Sequence, residues 1–111
     1  MTLLRSARIG STALALLGVA SAALAADTSV GRQKAQACAV CHGPLGLSVT
    51  PDAPNLAGQP QVYVEAQLRA YRSGKRQHEV MAVMAKTLGD DDIRELAAWY
   101  ASLVVEVKPS P

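Results

Sequence analysis

Three side chains able to form bonds to a cofactor stand within five residues: Cys38-Ala39-Val40-Cys41-His42. A thiol can add its S–H across a carbon–carbon double bond, and an imidazole offers a nitrogen lone pair to a metal. C-x-x-C-H is the attachment signature for c-type haem. In it the two sulfurs tether the porphyrin through its vinyl groups, and the adjoining histidine lies beneath the iron. Cys38 and Cys41 are the only cysteines in the chain, so the pentapeptide uses every thiol. Three other readings compete. A thioredoxin-like redox pair belongs in a strand–helix–strand setting, and no such alternation surrounds residue 38. A zinc site needs four ligands, or three and a water, and would have to draw on the remote His78. A disulfide across two intervening residues closes too small a loop to stabilise much. The spacing therefore predicts one covalently bound haem c.

Residues 1–25 read as a cleaved export signal. Arg5 and Arg8 make a basic start, Ile9 to Ala20 an apolar stretch, and Ala23-Leu24-Ala25 a small-residue cleavage site. The stretch is shorter than the roughly 20 residues a spanning helix needs, so no stable membrane insertion is expected after cleavage. Export to the periplasm suits the chemistry, because haem is attached to such chains outside the cytoplasm. The formal charge of +2 and pI near 8.7 mainly report this leader. Without Arg5 and Arg8, nine basic side chains face nine acidic ones, which gives no electrostatic case for a nucleic-acid partner.

About 85 residues remain, enough for one small domain at residues 26–107 and a frayed tail at 108–111. With no Phe, one Trp and three Tyr, large apolar side chains are scarce. A porphyrin would complete such a core. Asp27 or Thr28 can cap a helix from Ser29 to Ala37. Gly43 to Pro60 holds four prolines and three glycines and reads as an ordered loop. A helix follows from Pro60 or Gln61, with Val64, Leu68 and Tyr71 on one stripe and Gly74 just past its end. A helical turn is expected near Val80–Met84. The last helix is the clearest, with Asp90, Asp91 and Asp92 at its positive end and Ile93, Leu96, Ala97, Tyr100 and Leu103 at helical spacing. The architecture is all-α.

A haem that carries electrons usually has both iron faces filled, and a methionine opposite the histidine raises its potential. Met81, Met84 and His78 are the downstream candidates, and the two methionines lie one helical turn apart, so spacing leaves them open. His78 sits in the polar run Lys75-Arg76-Gln77-His78-Glu79, where a solvated histidine fits better.

The motif at 38–42, together with Pro54-Asn55-Leu56-Ala57-Gly58-Gln59, Tyr63, Gln67-Leu68, Gly74-Lys75-Arg76, Met81 and Leu88-Gly89-Asp90-Asp91-Asp92-Ile93 through Leu96-Ala97-Ala98-Trp99-Tyr100, resembles the small bacterial class I cytochromes c. Single domains of the dihaem type share the same pattern. The resemblance covers nearly all of the chain after the leader. It implies three to four helices wrapped around the haem, His42 and Met81 as the axial iron ligands, and Met84 as a neighbour at the haem edge and the fallback ligand. It also implies that the Pro54 carbonyl accepts a hydrogen bond from His42, and that Gly31 lies where the first helix crosses the last. Two departures stand out: Gly89 replaces the usual Ser or Thr cap, and Trp99 the usual tyrosine.

The expected function is electron transport, with redox proteins as transient donor and acceptor and no enzymatic activity of its own. The alternatives are a haem-bearing subunit of a larger oxidoreductase, for instance in sulfur-compound oxidation, and a catalytic haem with an open iron position. Arg69, Arg72, Lys75 and Arg76 form a basic group and Asp90, Asp91, Asp92 and Glu95 an acidic one. These read first as two solvated faces, and more sharply as a dipole that orients docking.

Overall fold

The computed structural model describes residues 27–111; the predicted export signal at 1–25 lies outside the described residues. The described chain is helical, without strands. Its elements are α1 (Ser29–Lys34), a 3₁₀ turn (Ala35–Ala37), α2 (Ala39–His42), α3 (Gln61–Ser73), α4 (Glu79–Lys86) and α5 (Asp90–Ser102). No helix among these residues is long and apolar enough to cross a membrane. The first helix therefore tightens to 3₁₀ before Ala37, and the cysteine–histidine motif itself forms a further helical turn. The turn expected near Val80 is a full helix. His78 starts it, its Nδ1 accepting the Met81 N–H at 3.3 Å. Histidine is not among the usual capping residues, so this start carried no sequence signal.

Helix α5 is the spine. Ile93, Leu96, Ala97, Trp99 and Tyr100 along it are buried, and it packs against α1 on one side and α3 on the other, while α4 rests on α3. Ala35, Leu96, Trp99 and Tyr100 form the core cluster, with Cys38, Leu56, Leu68, Leu88 and Leu103 packed around it. The α1–α5 crossing depends on Gly31. A Cβ there would run into the Glu95 carbonyl and the Trp99 Cβ, so any side chain would push the two helices apart. Lys34 locks the same crossing by pairing with Asp92, at 2.5 Å, and with Glu95.

Gly89 offers no capping side chain to α5, yet half of the usual exchange survives: Asp92 Oδ2 accepts the Gly89 N–H at 2.7 Å. Arg72 ties the end of α3 to the same point. Its Nη1 donates to the Leu88 carbonyl at 3.0 Å and its Nη2 pairs with Asp90 at 2.6 Å. The acidic group is thus largely compensated: Asp90 by Arg72, Asp91 by Arg94, Asp92 and Glu95 by Lys34. The basic and acidic clusters meet at the Arg72–Asp90 pair.

Candidate haem-attachment site

One turn of helix explains how the motif presents its chemistry. Positions i, i+3 and i+4 share a helical face, so Cys38, Cys41 and His42 turn the same way. Val40 points outward and is 78% exposed. Cys38 and Cys41 are half-buried free thiols, and His42 is the one buried polar residue of the described chain, at 8% exposure.

The loop after α2 fixes the imidazole. Gly43 leaves the helix at φ 80°, where a side chain would strike the Leu47 carbonyl. The Gly46 carbonyl then accepts both the Leu56 N–H, at 2.7 Å, and the Ala57 N–H, at 3.0 Å. Val49 donates to the Cys41 carbonyl at 3.1 Å, and the Asn55 side chain accepts the Ser48 N–H at 2.7 Å. These bonds fold the loop onto the motif and carry the Pro54 carbonyl to within 2.8 Å of His42 Nδ1. A carbonyl only accepts, so Nδ1 carries the proton and Nε2 keeps the lone pair. That is the tautomer of a histidine ready to bind a metal through Nε2, with its ring held in orientation.

The donor set fits a c-type haem. Two thiols and a pre-oriented imidazole lie on one face, and Cys38 packs together with partly buried Leu56, Leu68, Leu88 and Leu103 against the apolar core cluster. Among the described residues no three His, Cys, Asp or Glu side chains converge closely enough to hold a metal ion by themselves. His78 instead caps α4 and is exposed, its ring edge-on to Tyr71 at 6.4 Å.

Of the two methionines on α4, Met81 is half-buried and Met84 is 38% exposed. Ala85, four residues after Met81, is wholly buried. Met81 and Ala85 therefore share the inward face of α4, while Met84 lies to one side with exposed Val80 and Val83 near it in sequence.

Tyr100 was legible only as one member of a helical stripe. Its hydroxyl is buried without a hydrogen-bond partner among the described residues, and Cys38 packs against the cluster that Tyr100 helps to form. Burial pushes the Cys38 thiol up. Burial, and then the neighbouring Cys38, push the Tyr100 phenol far above its usual range.

Comparison with known proteins places this geometry in a family. The cytochrome c family model matches residues 29–103. Cytochrome c-554(548) of Halomonas halodenitrificans is 41% identical over 81 residues, covering 70% of this chain and 98% of that one. A protein of Thiomonas intermedia named thiosulfate dehydrogenase electron acceptor is 38% identical over 101 residues, covering 89% of this chain and 46% of that one. The chain thus spans nearly all of the first and about half of the second. Among solved structures, a thiosulfate dehydrogenase from Marichromatium purpuratum superposes with a TM-score of 0.66 at 36% identity, over 70% of this chain and 19% of that one. A helical fold without strands, a C-x-x-C-H turn with its histidine pinned to a loop carbonyl, and a family match across the helices agree: the chain belongs to the cytochrome c family, electron-transfer proteins whose cofactor is covalently bound haem c.

Proposed function

We propose that this chain is a periplasmic carrier of single electrons, exported by residues 1–25 and holding its haem through thioethers at Cys38 and Cys41. Each link would need only addition of a thiol S–H across a vinyl group, sulfur to one carbon and hydrogen to the other, with no external oxidant. His42 Nε2 and the Met81 sulfur would hold the haem iron, Met84 would lie beside them, and the Pro54 carbonyl would orient His42. The bound haem supplies the one-electron chemistry; the protein supplies ligation, apolar surroundings and orientation. The observation that carries this reading is the 2.8 Å bond from His42 Nδ1 to Pro54, which leaves Nε2 as the free donor. Donor and acceptor proteins dock transiently, as small redox interfaces do.

Carbon monoxide tests the carrier against a catalytic haem. Iron filled on both faces resists the gas, so the spectrum of the reduced protein is expected to stay unchanged under carbon monoxide at neutral pH. Rapid, stoichiometric binding would instead mean an open iron and a ligand-binding role.

A second reading has an observation of its own. Similarity to a thiosulfate dehydrogenase electron acceptor, and to a domain of a thiosulfate dehydrogenase, supports service to an enzyme that oxidises sulfur compounds. Mixing the oxidised protein with such an enzyme and its substrate, and following haem reduction, separates this service from a general carrier.

A further inference from the structure

Three buried side-chain polar atoms among the described residues have no hydrogen-bond partner: Thr50 Oγ1, Trp99 Nε1 and Tyr100 Oη. They are not equivalent. Trp99 faces the α1 crossing, with the Arg32 guanidinium 5.7 Å from its ring centre. Thr50 belongs to the loop, where its carbonyl accepts from Ser48. Tyr100, on a residue that is 2% exposed, has the Cys38 attachment thiol packed against its cluster and beside its phenol.

Building on the proposed thioether at Cys38, we propose that Tyr100 is a positioning residue: its hydroxyl donates a hydrogen bond to the Cys38 sulfur and so holds up the reduction potential of the haem. The chemistry fixes the direction of the bond. A thiol can donate or accept, but an alkylated sulfur has no hydrogen and only accepts. A buried phenol next to a thioether is therefore the donor. Leaving a buried hydroxyl unmet is unfavourable, which favours the contact even though sulfur is a weak acceptor. The hydrogen end of the dipole then points toward the sulfur and the ring it carries. Positive potential at that place favours the ferrous state, and apolar surroundings screen it little.

The test uses haem-loaded protein and two variants, Tyr100→Phe and Trp99→Phe. Each removes one unpartnered buried polar atom, and only the first lies at the sulfur. Intact mass and the thioether-sensitive visible spectrum report attachment, and a redox titration reports the midpoint potential. The expected result is a downward shift in Tyr100→Phe with both thioethers intact, and no shift in Trp99→Phe. Failure of Tyr100→Phe to form the Cys38 link, with Cys41 still attached and Trp99→Phe doubly linked, also supports a hydroxyl acting at that sulfur. An unchanged or raised potential in doubly linked Tyr100→Phe, or equal shifts in both variants, overturns the proposal. Wild-type protein without covalent haem would instead refute the functional reading itself.

Discussion

Protein in which both Cys38 and Cys41 are replaced by serine, purified free of haem, is expected to show no cooperative thermal unfolding. The buried apolar core of the described residues comprises Ala35, Val64, Ala85, Ile93, Leu96, Ala97, Trp99 and Tyr100. Three of these are alanines, and only Ile93, Leu96 and Tyr100 are large side chains with 2% exposure or less. The helices run from 4 to 13 residues, and helices shorter than ~12–15 residues are marginal in water without packing. A domain of this size sits near the limit of independent stability. The clamps at Lys34 and Arg72 are partly exposed ion pairs, worth ~0–1 kcal/mol each, and do not replace a core. Circular dichroism should show a broad, sloping loss of helix on heating. A sigmoidal transition with a defined midpoint would contradict this account of stability.

Met81→Ala is expected to abolish the weak long-wavelength sulfur-to-iron band of the oxidised protein and to open the iron to carbon monoxide. Met84→Ala should leave both properties as they are. The midpoint potential of Met81→Ala should fall on the order of 0.1 V or more, since axial ligands tune haem potentials over about 0.8 V. Met81 shares the inward face of α4 with fully buried Ala85, and Met84 is 38% exposed off that face. The cap from His78 to the Met81 N–H sets where α4 begins, and with it which methionine turns inward. Retention of the band in Met81→Ala together with its loss in Met84→Ala would reverse the assignment.

Much of the fold was readable because local signals agreed with tertiary roles. Gly74, in the left-handed region at φ 81°, ends α3 as predicted from its position. The alternation of Ile93, Leu96, Ala97 and Tyr100 marked the buried face of α5. Gly31 against Trp99 was expected from the resemblance, and the structure supplies its cause in the close approach of the Glu95 backbone.

What stayed hidden was set by contacts distant in sequence. The full length of α4 depends on an imidazole cap. The shape of the 43–60 loop depends on backbone bonds from the Gly46 carbonyl to Leu56 and Ala57. The charge clusters looked like two separate faces because nothing local reveals that Arg72 reaches Asp90 and Leu88 across the fold. Tyr100 beside Cys38 is a pairing across 62 positions, beyond the reach of helical periodicity.

The most direct measurement is the intact mass and visible spectrum of the protein matured in cells that attach haem. A red protein is expected, heavier than its leader-free polypeptide by one haem, the mass surviving acid extraction and lost when Cys38 and Cys41 are both replaced. A colourless product, or a mass equal to that of the polypeptide alone, would contradict it.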